Sequence, residues 1–156
     1  MARADAAARA LLREFQVVTA PIDPFALARS LDVQVVPQGL DDDASGMLLR
    51  RDGRCVIGVN RTHSPLRRRF TVAHEIAHAI LHPDMIGDGI TDDAMWRSGL
   101  PDSVEYQANR MAADILMPEH LVREHFKVTK DPAALARIFE VSNKSMTIRL
   151  ERLRLE

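Results

Sequence analysis

The chain has 156 residues, 46% of them hydrophobic, 28% charged and only 4% aromatic, enough apolar material for one packed core and at most a small appended module. Its 21 basic and 22 acidic residues leave a formal charge of -1, which excludes the bulk basic field of a general nucleic-acid binder but not a local patch. Cys55 is the only cysteine, so an intrachain disulfide and a cysteine-rich zinc site are excluded, and a metal site would have to use His, Asp or Glu.

The opening MARADAAARALLREF interleaves charge with alanine and holds no apolar h-region, so no secretory signal is expected. No apolar run approaches the ~20 residues of a membrane helix, and the expected location is the cytoplasm. Residues 2–16 read as an amphipathic helix with Leu11, Leu12 and Phe15 on one side. Asp23 before Pro24 is an N-cap followed by proline at the first helical position, opening a short helix to about Leu31. Val33 and Val35 then alternate with Gln34 and Val36, a strand pattern that Pro37 closes. After the polar loop QGLDDDASG come strands Met47–Arg50 and Arg54–Val59 around Arg51-Asp52-Gly53. Asp-Gly between apolar runs is a hairpin signal, because both turn positions need positive φ. A small antiparallel sheet is expected.

Ser64 caps the next helix, Pro65 sits in its first turn and Pro83 ends it. Residues 85–101, with three glycines and a proline, read as a loop. A second long helix runs from about Ser103 to Leu116 and stops at Met117-Pro118. Asp131-Pro132 starts a short helix through Phe139, Glu140-Val141-Ser142 turns, and Asn143 to Leu153 is helical again with Met146, Ile148, Leu150 and Leu153 apolar. The class is α+β, a small antiparallel sheet packed on helices, with residues 127–156 as a C-terminal helical hairpin or helix-turn-helix-like segment.

His74-Glu75-Ile76-Ala77-His78 is H-E-x-x-H in the middle of a well-capped helix. Residues four apart lie on one helix face, so both imidazoles can reach one ion. Glu75 is rotated by about 100° from His74, beside the ion rather than on it, where it can take a proton from an attacking water and pass it to a leaving amine. The bland alternative is a solvated face carrying two histidines and a glutamate.

A catalytic zinc takes three protein ligands and keeps one position open. Glu105 on the following helix is the preferred third ligand. Asn109, one turn later, can accept a hydrogen bond from a ligand histidine and fix its tautomer. Taken alone, Glu105 would be only a first-turn acid complementing the helix dipole. Asp84, six residues after His78, is the rival, placed like the third ligand of metzincin-like sites, but Leu81 stands where those sites have a chain-reversing glycine, and Pro83 follows. His82 continues the series with a drift of about 40° and reads as a helix-end cap or a neighbour of the site. His63, His120 and His125 read as surface or packing residues, Cys55 as a buried inert thiol, and Trp96 as loop packing or a substrate-facing surface. Tyr106 and Arg97 have the chemistry to stabilise an oxyanion, with no motif behind them.

Two segments in order, Arg69-Phe70-Thr71-Val72-Ala73-His74-Glu75-Ile76-Ala77-His78 and Glu105-Tyr106-Gln107-Ala108-Asn109 through Leu116-Met117-Pro118, resemble the ImmA/IrrE family of zinc metallopeptidases. Ser45-Gly46, Val59-Asn60 and the tail from Leu135 to Leu153 look like the family's flanks, and Ala77 stands where many members have glycine. The resemblance implies a minimal zincin-like, gluzincin-type metallopeptidase domain over residues 1–126, with residues 127–156 packed on it. It implies zinc on His74, His78 and Glu105, with Glu75 as general base. It also implies a protein substrate: a helix-turn-helix repressor of the phage-repressor type, or an antitoxin, cut to release stress-response or mobile-element genes. Two rivals stand beside it. A DNA-binding regulator could use Lys144, Arg149, Arg152 and Arg154 on phosphates, diluted by Glu140, Glu151 and Glu156. A binding module could sequester a repressor, with its zinc purely structural.

Overall fold

The computed structural model of the chain describes residues 2–88 and 101–156. Helices α1 (Ala2–Glu14) and α2 (Pro24–Ser30) precede strands β1 (Gln34–Gln38), β2 (Gly46–Arg51) and β3 (Arg54–Asn60). The long helix α3 (Pro65–Leu81) follows, then a 3-10 turn at Pro83–Met85 and the two-residue strand β4 (Gly87–Asp88). Helices α4 (Asp102–Leu116), α5 (Glu119–Phe126), α6 (Pro132–Phe139) and α7 (Asn143–Leu153) complete the described chain. None of these helices is long and apolar enough to cross a membrane.

Three helix starts share one chemistry. Asp23, Ser64 and Asp131 each accept a backbone N–H from the first turn, and a proline follows each one. Proline costs nothing there, because that N–H has no helical partner anyway. Asp52 and Gly53 form the two-residue hairpin turn between β2 and β3 with φ of 52° and 79°, the left-handed pair that matches strand twist.

The sheet order is β1-β3-β2-β4, and it is mixed rather than antiparallel. Only the β2–β3 hairpin is antiparallel; β1 runs parallel to β3, and β4 parallel to β2. The hairpin determines its own pairing locally, but the loop after β1 carries the chain past β3 before β2 begins. Buried Asn60 holds that loop: its Nδ2 donates to the carbonyls of Asp41 (3.1 Å) and Ala44 (2.9 Å), while its Oδ1 accepts from Thr62 N at 3.0 Å. β1 is thereby an edge strand, which is why Pro37 sits inside it rather than closing it: an edge tolerates a missing donor.

One hydrophobic cluster joins Leu12 of α1, Leu48 and Ile57 of the sheet, Ile76 of α3, Met111 and Ile115 of α4, and Phe139 and Leu150 of the last two helices. Arg69 of α3 ties the same parts together through polar groups, donating to the carbonyls of Ile22 (2.6 Å), Glu140 (3.1 Å) and Phe139 (3.3 Å). On α7 the apolar expectation needs correcting at one step. Ile148 is 39% exposed, and Arg149 instead is turned inward, at 6%.

Candidate metal centre

The middle of α3 is buried on every side: all residues from Thr71 to His78 are inaccessible or nearly so. His74, Glu75 and His78 therefore cannot be a solvated face. Buried polar groups are costly unless partnered, and α4 supplies the partners. The two helices run antiparallel across the site, so the step from His74 to His78 meets the step from Asn109 back to Glu105. His74 Nδ1 lies 2.9 Å from Asn109 Oδ1, and His78 Nε2 lies 2.7 Å from Glu105 Oε1. His74 Nε2 is 3.1 Å from His78 Nε2 and 3.6 Å from Glu105 Oε2.

The hydrogen bonds dictate the tautomers. An amide oxygen only accepts, so His74 Nδ1–H donates to Asn109. His82 Nε2–H likewise donates to Gln107 Oε1 at 2.8 Å. With the His82 proton on Nε2, its Nδ1 accepts from His78 Nδ1–H at 3.0 Å. Both Nε2 atoms are left as lone pairs pointing at one another and at a carboxylate. Such a set repels itself unless a cation lies between its members. Bonds of ~2.0–2.1 Å to a tetrahedral ion imply ligand–ligand edges of roughly 3.3 Å, and the three separations of 2.7, 3.1 and 3.6 Å straddle that value. The residues present thus fit a divalent metal ion.

Charge points the same way. Burial pushes His78 below the usual histidine range, against the pull of Glu105, so its ring is neutral. A neutral imidazole is the form in which histidine binds a metal. His74, Glu75 and His78 also offer ligand atoms within 4.8 Å of one another. Glu75, however, aims at the sheet: a Cβ placed on Gly46, at the start of β2, would lie 3.4 Å from its Oε2. Its carboxylate therefore stands between the donor set and β2.

The other candidates fall elsewhere. Asp84 is exposed on the turn after α3. Tyr106 is 45% exposed, and its hydroxyl accepts from Arg110 Nη1 at 3.4 Å. Trp96 and Arg97 lie outside the described residues. His63 pairs with the Asp42 carbonyl at 2.9 Å, His120 is exposed, and the His125 ring meets Phe139 edge-on at 5.5 Å. Cys55 is only partly buried in β3. His82 is the neighbour of the site that the sequence allowed, beside its reading as a helix-end cap, whereas the role of Gln107 was missed altogether. The available signal was His82 standing four residues after His78, where a histidine ring can reach the previous one.

The chain is similar to known proteins over most of its length. Residues 28–151 match the model of a peptidase family described as the IrrE N-terminal-like domain. The chain is 40% identical over 96 residues to the radiation response metalloprotease IrrE of Deinococcus radiodurans, covering 58% of this chain and 29% of that protein. It is 25% identical over 103 residues to the uncharacterized immunity region protein 2 of Bacillus phage phi105, covering 66% and 63%. Among solved structures, a Mycobacterium tuberculosis transcriptional regulator superposes with a TM-score of 0.69 at 22% identity, over 96% of this chain and 46% of that one; this likeness is one of fold. The chain spans less than two thirds of each of these three proteins.

Proposed function

The chain belongs to the IrrE N-terminal-like peptidase family, and from that premise we propose that it is a zinc-dependent endopeptidase acting in the cytoplasm on a transcriptional regulator. The observation that carries the reading is the donor set itself: two histidine Nε2 atoms and the Glu105 carboxylate within 2.7–3.6 Å, with both tautomers dictated by partners on α4 and at the end of α3. His74, His78 and Glu105 would hold the ion, and Asn109 orients His74. A bound zinc would polarise the scissile carbonyl and make the attacking water more acidic. Glu75 takes the proton of that water on its carboxylate and delivers it to the leaving amine. Its burial keeps competing bulk water away from that proton.

The substrate we infer is a helix-turn-helix repressor of the phage-repressor type, or an antitoxin, whose cleavage releases stress-response or mobile-element genes. The names of the relatives support this class, one being a radiation response metalloprotease and another a phage immunity region protein. The DNA-binding alternative loses one of its four cations, because Arg149 is buried and engaged by Asp114 at 2.7 Å. The test is zinc content and repressor cleavage in wild type, Glu75→Gln and Glu105→Ala. We expect about one zinc per chain in wild type and Glu75→Gln, weakened zinc in Glu105→Ala, and cleavage by wild type alone. Undiminished cleavage by Glu75→Gln would end the mechanism. Equal zinc in wild type and Glu105→Ala would remove Glu105 from the ligand set.

A further inference from the structure

Away from the metal centre, α1, α4, α5 and α7 enclose an open groove of about 1160 Å³. Its floor is apolar, with Ala8 and Leu12 of α1 facing Pro118 and Leu153, and Val18 stands 69% exposed at its lip. Its charge is lopsided. Seven of the chain's 21 basic residues line it, all of them arginines, against three acids.

Each acid is already matched. Arg149 Nη1 lies 2.7 Å from Asp114 Oδ1, Arg123 Nε 2.9 Å from Glu119 Oε1, and Arg110 Nη2 3.5 Å from Asp5 Oδ1. Among the described residues, Arg9, Arg13, Arg152 and Arg154 form no ion pair; all four are exposed on the groove's rim. Burial, then a hydrogen bond to Asp5, pushes Asp114 up to about 7, so near neutrality the acidic side of the balance is weaker still. In a chain of formal charge -1, this is a concentrated positive rim around an apolar trough.

We infer that this groove is a docking site for an acidic amphipathic helix of a protein partner, separate from the metal centre. The apolar floor would take the helix's i, i+3, i+4, i+7 side chains, and the arginine rim would pair with its flanking glutamates and aspartates. The alternative polyanion, a nucleic acid, would lay phosphates over apolar surface and next to three carboxylates, gaining nothing from the floor. The groove is also larger than the ~300–1,000 Å³ typical of a small-molecule site.

The experiment is fluorescence anisotropy on the full chain with three labelled probes. One is a 16-residue peptide with leucines on one helical face and glutamates on the other; the second has the same composition with the leucines scrambled; the third is a single-stranded oligonucleotide of equal charge. We expect the patterned peptide to bind about tenfold more tightly than either control. We also expect Arg9→Glu/Arg13→Glu, and separately Arg152→Glu, to weaken it by about tenfold, with melting temperatures retained because these side chains are exposed. If charge reversal damages the fold, Arg9→Gln/Arg13→Gln should give an intermediate loss. No binding of the patterned peptide, equal binding of the scrambled peptide, tighter binding of the oligonucleotide, or indifference to the rim substitutions would overturn the assignment.

Discussion

Replacing His82 by phenylalanine would remove an interaction whose cost falls on only one state of the site. His78 is fully buried, and its Nδ1 meets His82 Nδ1 at 3.0 Å. With a metal on Nε2, Nδ1 must keep its proton, and phenylalanine offers that proton no acceptor. A buried donor left without its partner costs about 1–3 kcal/mol. Without metal the ring can shift its proton to Nε2, where Glu105 Oε1 waits at 2.7 Å, and the cost is escaped. The whole penalty therefore appears in metal affinity: roughly 5–150-fold at 1.4 kcal/mol per decade, in line with the ~10–100-fold typical of such supporting partners. Competition against a chromophoric chelator would read it, beside thermal melting of the metal-free protein, which should change little. Gln107→Leu should act through the same ring, so the double substitution should be no worse than His82→Phe alone. Unchanged zinc affinity in a folded His82→Phe protein, or additive losses in the double variant, would refute this account.

Two further perturbations test the fold around the site. A Cβ on Gly46 would sit 2.6 Å from Thr71 Cγ2 and 2.7 Å from the Gly58 carbonyl oxygen, so Gly46→Val must push β2 away from α3. We expect a loss of about 1–3 kcal/mol in urea unfolding, and unchanged stability would show that the close approach is not needed. Arg149→Met removes the partner of Asp114 and should cost about 3–5 kcal/mol. Its pH dependence carries a sign. The Asp114 pKa is raised to about 7 from 3.8, so the stability of its protonated form is lost as pH rises through the folded value. Arginine opposes that rise, and without it the carboxyl would hold its proton above pH 7. The cost of Arg149→Met should therefore be about 1 kcal/mol larger near pH 8 than near pH 6. A pH-independent cost would remove Asp114 from the explanation.

What could be read from the sequence was local or repeated at one step. The Asp23-Pro24, Ser64-Pro65 and Asp131-Pro132 starts and the Asp52-Gly53 turn act within a few residues, and all four are seen. The residues that meet at the metal centre share a four-residue step on two helices, so antiparallel packing brings them together. What could not be read depends on distant neighbours. β1 lies beside β3 because of the path of the loop that Asn60 holds, and β4 is two residues long, defined only by its pairing with β2. α5, at eight residues, is too short for its apolar period to emerge. On α7 residue type misled. Met146, Leu150 and Leu153 define the buried face, Arg149 falls on it and Ile148 does not. An arginine is tolerated there because Asp114 and the Met117 carbonyl, 2.9 Å from its Nε, satisfy it.

α4 therefore has two working faces. Glu105 and Asn109, one turn apart, meet the histidines of α3; Arg110 and Asp114, also one turn apart, line the arginine groove. The two pairs are offset by about 100° or more around one helix axis, and the helix between them is anchored by fully buried Ala108, Met111 and Ala112. A packed helix moves as a body rather than bending between such positions. Anything that shifts α4 from the groove side would carry Glu105 and Asn109 with it. The donor separations of 2.7–3.6 Å leave a tetrahedral ion little slack for such a shift. A groove ligand that displaces α4 should therefore change the affinity for metal, and by reciprocity metal loading should change the affinity of the groove; equal zinc affinity with and without the patterned peptide would refute the link.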